Sequence, residues 1–278
     1  MLFYRASLDV SRDLAQAVAR LLSVHRGRIG TRRGRRSLGC FAQAVLLLRF
    51  KRQRTAVADL ARDNAASLKT AYRYLPEALD VLAAQAADLP EVVAEAVNKG
   101  TEHLLLDGTL METDRVHDRG SRRDRCTPEG TVTTAVSCRS SPMPMGGRGG
   151  TSRAERGGGV SPVEPGCTHD LTAACLHALP ALYAAARHGV PTLADEAYIG
   201  AGAGIRVSAR RPRGAAQVSD RSTQGWNSYV NSARAFVEHG IAHLKTCWRI
   251  LRHVSLCPWR ISTIVATALV LSWLANRY

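Results

Sequence analysis

From Met111 to Asp170 the chain holds no leucine, isoleucine, phenylalanine, tyrosine or tryptophan across sixty residues. Glycine, arginine, serine, threonine and proline take their place, with Gly146-Gly147-Arg148-Gly149-Gly150 and Arg156-Gly157-Gly158-Gly159 as the extreme runs. A stretch of this kind cannot bury enough apolar surface to offset the entropy of ordering it. Disorder is therefore expected over roughly 117–161. Its Arg-Gly repeats could bind RNA, but a charged coil is the expected reading.

The rest of the chain has a globular composition. It has 278 residues, 45% apolar and 22% charged, with few aromatics, so its core must be mostly aliphatic. The net charge is +15, and residues 1–60 alone hold thirteen Lys/Arg against three Asp/Glu. Nearly all of this excess is arginine, whose planar fork suits phosphate oxygens, so a polyanionic partner, most often nucleic acid, is expected. The plainer alternative is a merely basic soluble protein. Seven cysteines with no CxxC pair argue against a disulfide framework or a zinc site. Met1-Leu2-Phe3-Tyr4 is too short for a signal-peptide core, and Ile261–Leu274 is too short to span a bilayer. A cytoplasmic, nucleoid-associated protein without a membrane partner is the expectation.

The N-terminal part reads as helical, as a domain over 1–98. Residues 7–24 carry Leu8, Leu14, Val18, Leu21 and Leu22 at helical spacing. The segment His25–Arg36 is basic and broken by glycines, and cannot bury itself. It reads as a solvated linker or, beside a helical module, as an arm along phosphates through Arg32, Arg33, Arg35 and Arg36. Leu38–Phe50 is an apolar helix, Thr55 can cap a short second one, and Ser67 a third after the turn Asp63–Ala66. This is a helix-turn-helix layout, shared with many helical bundles. It would expose Lys69, Thr70 and Arg73 to a major groove. A further helix runs from Pro90 to Val97 and stops at Asn98-Lys99-Gly100.

The C-terminal part, a domain over 101–278, mixes strands and helices. His103–Leu110 is a short aliphatic run that suits a buried strand and carries Asp107. Leu171–Ala186 reads as one helix, with Asp170 near its start as a candidate cap, and Pro191–Asp195 as a second strand ending on an acid. Gly200, Gly202 and Gly204 form a weak match to a dinucleotide fingerprint. Asn231–Leu251 reads as a helix with Ala235, Phe236, Ile241, Leu244 and Trp248 on one side, and Ile261–Leu274 as a buried closing helix.

Asp107, Asp195 and Glu238 stand out by context. Two strand-end aspartates and a helical glutamate are what a two-metal phosphoryl-transfer site needs, because carboxylate oxygens are hard ligands for Mg²⁺ or Mn²⁺. Taken singly, a strand-end Asp is often a turn cap and a helical Glu a solvated side chain.

Several motifs in order resemble a bacterial insertion-sequence transposase of the DDE superfamily, in its Harbinger-like branch. They are Leu106-Asp107-Gly108-Thr109, the run Pro165–Ala174 with His169 and Asp170, Leu193–Gly200, and the Arg-x3-Glu-x6-Lys pattern of Arg234, Glu238 and Lys245 before Trp248–Arg252. The N-terminal part resembles the same family's helix-turn-helix through Gly30–Gly34 and Thr70–Leu75. The resemblance implies an α/β, RNase-H-like catalytic domain behind an all-α helix-turn-helix domain. It implies Asp107, Asp195 and Glu238 as catalytic and metal-binding residues for two divalent ions. It implies cleavage of transposon ends by water, strand transfer into target DNA, and action as a homo-oligomer on double-stranded DNA. Arg234 and Lys245 would hold DNA phosphates, or be surface ion-pair partners; His169 and Asp170 are secondary candidates.

The chain departs from that family where Glu196-Ala197 replace Lys-Gly, Cys167 replaces Ser and Asn231 replaces Tyr. The family's second and third strands should also fall in the leucine-free stretch. Compensating frameshifts over 117–160 would explain this, and would leave a catalytically dead DNA-binding protein derived from a transposase as the alternative.

Overall fold

The computed structural model describes residues 8–32, 34–113, 131–139, 158–210 and 220–277. Arg33 lies outside the described residues, as does most of 117–161. Two compact units emerge. The first gathers the described residues up to Ala86 with Leu244–Leu256 and the chain from Thr263 onward; the second runs from Ala87 to His243 with Cys257–Ser262. This division differs from the expected 1–98 and 101–278, because the C-terminal apolar segments pack with the N-terminal helices.

In the first unit, α1 (Arg12–Arg28) starts at Ser11, whose hydroxyl accepts from the Leu14 N–H at 3.1 Å. It continues into the segment expected to be an arm. α2 (Cys40–Gln53) and α3 (Val57–Asp63) follow; the cap position of α3 is Ala56 rather than Thr55, without a side-chain cap. Between α3 and α4 (Leu68–Ala83) the chain turns through Ala65 at φ 48°. The expected cap holds there: the Ser67 hydroxyl accepts from the Thr70 N–H at 3.1 Å. Leu14, Val18, Leu22, Leu46, Leu47, Phe50, Leu60, Leu75 and Leu79 are fully buried, so the core is aliphatic as composition requires.

Part of the basic segment is tied down rather than free. Arg26 donates to the Leu38 carbonyl at 3.0 Å and to Gln43 Oε1 at 2.6 Å. Arg36 grips Glu77 with both arms of its fork, at 2.6 and 2.8 Å. Burial opposes the charge on Glu77, but Arg36, Gln43 and Arg26 outweigh it and hold its carboxyl below the usual range.

The second unit opens with α5 (Leu89–Asn98) and β1 (His103–Thr113). Six residues of β1 follow Asp107, so that aspartate sits inside the strand instead of ending it. β2 (Thr131–Arg139) pairs antiparallel with β1 in register His103↔Arg139 to Met111↔Thr131. β3 (Gly158–Val160) and β4 (Glu164–Pro165) both pair antiparallel with β2. Within the stretch expected to be coil, 131–139 and 158–160 are therefore strands, held by backbone pairing that needs no large side chain. The remainder of that stretch up to residue 157 lies outside the described residues. β5 (Thr192–Leu193) lies parallel to β1, and β6 (Ile205–Arg206) parallel to β5, giving the order β3-β2-β1-β5-β6.

The expected single helix over 171–186 is two, α6 (Asp170–His177) and α7 (Leu179–Arg187). Pro180 explains the break: it lacks the N–H that would bond back one turn, and proline sits well only in a helix's first turn. α8 (Arg221–Cys247) starts ten residues earlier than expected. Its polar first turns are used rather than merely solvated. Trp226 donates to the Val207 carbonyl at 3.1 Å, and Asn227 bonds both backbone groups of Ala209 at 2.8 and 3.1 Å. The buried stripe of α8 is Val230, Ala233 and Val237; Phe236, expected inside, is 51% exposed. α9 (Ile261–Arg277) closes the chain. Its Ile264 carbonyl accepts from the fully buried Lys51, and its Thr267 hydroxyl donates to the Leu79 carbonyl at 3.1 Å. Among the described residues no helix is long and apolar enough to cross a membrane.

Candidate active site

Strand periodicity decides which side chains meet. Leu104 and Leu106 pack against α5, α6 and α7, while Leu105 packs with Leu193 against Val230, Ala233 and Val237 of α8. Side chains alternate along a strand, so Asp107 shares the α8 face with Leu105 and Gly108 shares the opposite face with Leu106. The same alternation past Leu193 turns Ala194 to the α7 side and Asp195 toward α8. On α8, Arg234 and Glu238 each follow a buried residue of the stripe and stand one turn apart.

The three acids expected to act together are thus brought to one region, with Arg234 among them. Its Nη2 lies 3.0 Å from Glu238 Oε1 and 3.6 Å from Asp195 Oδ2, and its Nε is buried without a hydrogen-bond partner. Burial lifts the Asp107 carboxyl from 3.8 to about 6; Arg234 opposes the rise, and Asp195 and Glu238 add to it. Asp195 also caps the short 3₁₀ turn Glu196–Tyr198, accepting from the Ala197 N–H at 2.8 Å. Of the two readings open for Arg234, phosphate ligand or ion-pair partner, the described structure has it as the partner of two carboxylates. Glu196, which stands where the resembling family has Lys, pairs with exposed Arg210 at 3.2 Å.

The opposite face of β1 adds a second group. A Cβ on Gly108 would stand 3.2 Å from both Oδ2 of Asp170 and Oη of Tyr198, so a larger residue there would press on both. Tyr198 is 1% exposed, and its hydroxyl has no hydrogen-bond partner. Burial, then Asp170, Asp107 and Asp195, drive its pKa up, so it stays a protonated donor. Burial and the charge of Asp195 raise Asp170 as well. The expected cap role of Asp170 falls to His169, whose ring nitrogen accepts from the Leu171 N–H at 3.2 Å. Tyr198 was missed from the sequence: it lies in the Leu193–Gly200 motif, but nothing in a lone tyrosine tells that its hydroxyl will be buried among acids.

The residues expected to touch DNA separate by environment. Arg32, Arg35, Lys69 and Arg73 are exposed, and Thr70 is half-buried beside Ser67 Oγ at 2.8 Å. Arg36 is committed to Glu77, yet it lines a surface pocket of about 280 Å³ together with Arg35, Arg73 and Glu77. Lys245 belongs to the first unit, where its carbonyl accepts from Arg252 at 3.2 Å. The loop through Gly200, Gly202 and Gly204 leads into β6 and not into a helix, which removes the dinucleotide reading.

The donors suit a hard divalent cation, since all are carboxylate or hydroxyl oxygens. Among the described residues no three of His, Cys, Asp and Glu are placed to hold one ion directly between them. A hydrated ion asks less. Mg²⁺ keeps several waters and needs only one or two carboxylates.

Residues 159–276 match the family model described as DDE superfamily endonuclease. Neither the curated proteins nor the solved structures gave a match. The matched span includes Asp170, Asp195, Tyr198, Arg234 and Glu238, while Asp107 lies ahead of it. Over that span the chain is similar to DDE-type, transposase-like endonucleases, and its mixed α/β second unit is compatible with such a nuclease fold.

Proposed function

We propose that this chain is a DNA transposase: an endonuclease that cuts the ends of a mobile element by water attack on a phosphodiester and joins the freed 3′ hydroxyl to target DNA. The supporting observation is the convergence of Asp107, Asp195 and Glu238 around Arg234 in a chain whose residues 159–276 match an endonuclease family. Mg²⁺ or Mn²⁺ ions are the cofactors of this reading, with Asp107, Asp195 and Glu238 as their ligands. A bound divalent ion supplies Lewis-acid activation of water and stabilises the leaving oxygen. The chain's own part is to present Asp107 and Asp195 from a rigid sheet, and to keep Arg234 as counter-charge to the acids.

DNA is held by the basic first unit, as a helix-turn-helix. Lys69, Thr70 and Arg73 at the start of α4 face the groove, and Arg32, Arg33 and Arg35 lie along phosphates, with Arg36 steadied by Glu77. The active form is a homo-oligomer on paired ends.

The test is cleavage of a labelled duplex carrying the element's own ends, with Mn²⁺, by the native chain and by Asp107→Ala and Glu238→Ala. Cleavage by the native chain that is lost in both variants supports the reading. Absence of cleavage with end-specific binding intact overturns the catalytic part and leaves the alternative, a DNA-binding protein derived from a transposase.

A further inference from the structure

The side of α4 turned away from the core carries more than charge. Its inward face is complete in itself, with Ala71, Tyr74, Leu75, Ala78, Leu79 and Leu82 all buried. Leu68 and Tyr72 take no part in it. They are 48% and 51% exposed and, four residues apart, form one apolar row along the first turns of the helix. Exposed apolar residues scattered singly are ordinary, but these two adjoin on a helix whose packing does not need them. Lys69 and Arg73, also exposed, run beside them as a second row. Arg73 leans over the Tyr74 ring, 5.3 Å from its centroid, toward the pocket it lines with Arg35 and Arg36. The first turn of α4 has no acid. The acids of α3 and Glu77 are each engaged by an arginine: Asp59 by Arg62 at 3.0 Å, Asp63 by Arg49 at 2.7 Å, and Glu77 by Arg36 at 2.6 Å. The outward face of α4 is thus an apolar row flanked by positive charge.

We propose that Leu68 and Tyr72 are specificity-determining residues that pack on the 5-methyl groups of thymines in the major groove of double-stranded DNA, while Lys69 and Arg73 hold phosphates at the groove's edge. The positive row chooses a polyanion as the occupant of this face. The apolar row then chooses the base: thymine's methyl is the apolar group that the major groove displays, and the other base edges there are hydrogen-bonding groups. A leucine laid on those edges would take their water away and offer no partner in return, which costs binding energy. The inference rests on the helix-turn-helix reading above and deepens it. Lys69 and Arg73 supply affinity for any duplex, and Leu68 and Tyr72 select sites with thymine at the positions they reach.

The experiment uses a labelled duplex selected by the full native chain from a randomised pool. Copies of it carry deoxyuridine in place of one thymidine at a time, which removes the methyl and keeps the base pair. Fluorescence anisotropy at one fixed salt concentration gives the affinity of each copy for the native chain, Leu68→Ala, Tyr72→Ala and Lys69→Ala. Both apolar positions are exposed and alanine is a strong helix former, so the first two variants are expected to unfold at no lower temperature than the native chain. For the native chain, uracil at one or two positions is expected to weaken binding about fourfold each, the loss of one buried methyl. Leu68→Ala or Tyr72→Ala is expected to bind thymine and uracil copies alike at the position it reads. Lys69→Ala is expected to weaken every copy equally. A native chain that binds the duplex but is indifferent to every uracil replacement overturns the inference and leaves DNA binding standing, as do variants that keep the native discrimination. Variants whose sedimentation changes while their discrimination does not also overturn it, in favour of a contact with a second copy of the chain. If the native chain selects no duplex, the inference and the helix-turn-helix reading fail together.

Discussion

Replacing Asp107 by Asn should stabilise the ion-free protein at neutral pH and leave it nearly unchanged in acid. Burial and two neighbouring acids raise the Asp107 carboxyl from 3.8 to about 6, against the pull of Arg234. For an acid shifted upward, the native state holds the proton more tightly than the unfolded chain. Stability from this group is therefore complete below pH 3.8, declines as pH rises, and is fully lost above about 6. The ceiling on that loss is about 3 kcal/mol. Asp107 keeps some contact with solvent, which reduces the figure to about 1–2 kcal/mol. Asparagine cannot ionise, and its carbonyl oxygen can still accept from the Gly108 N–H. Thermal unfolding in EDTA should then show Asp107→Asn above the native chain by about 3–6 °C at pH 7.5 and level with it near pH 4. A gain of the same size at both pH values, or a loss at pH 7.5, would refute the reasoning, because the penalty would not come from ionising this carboxyl.

Two further outcomes follow from buried charges in the first unit. Lys51 is fully buried, and desolvation drives its ammonium well below 10.5, so the unfolded chain holds the extra proton. Native stability should rise as the pH climbs toward 10.5, by up to about 1.4 kcal/mol per pH unit from this group. Lys51→Met should lack that slope and be the more stable protein at pH 7; urea unfolding at pH 7, 8.5 and 10 decides, and equal slopes would count against it. Glu77 is held below its usual range chiefly by Arg36 once burial is overcome, so its contribution is present above about pH 4.5 and fades as the pH falls. Glu77→Gln should cost about 1–3 kcal/mol at pH 7 and much less near pH 3; an equal loss at both would show that shape, not charge, anchors Arg36.

What could be read in the sequence was whatever local chemistry decides. The Ser67 cap, the aliphatic β1 run and the closing helix follow from spacing and side-chain type, and the structure has all three. Tertiary context overrode the rest. The strand 131–139 is built from backbone pairing to β1, which hydrophobic patterning cannot register. The early start of α8 depends on Asn227 and Trp226 meeting the backbone at 207–209, eighteen or more residues away in sequence. The wrong face for Phe236 came from favouring the largest apolar residues over the small ones, Ala233 and Val237, that fit against the sheet. At the site, Asp107, Asp195 and Glu238 were legible by context and motif, whereas Tyr198 and the role of Gly108 depend on burial and on a distance no motif encodes.

Arg234 shows how one spacing serves two purposes. An arginine four residues before a glutamate on a helix forms a surface pair worth only a few tenths of a kcal/mol, and with the base ahead of the acid the order is the weaker one. If that were its whole role, both side chains would be solvated. Instead the Arg234 side chain is 24% exposed, its Nε is enclosed without a partner, and the same guanidinium lies 3.6 Å from Asp195 on a different element. The exposed Glu238 carboxylate can exchange partners, while Asp195 is fixed by its cap bond to Ala197. A positive group held by one exposed and one capped acid offsets only part of the negative charge of Asp107, Asp195 and Glu238. The arrangement therefore favours a centre whose charge is completed by what it binds, over a static surface ion pair.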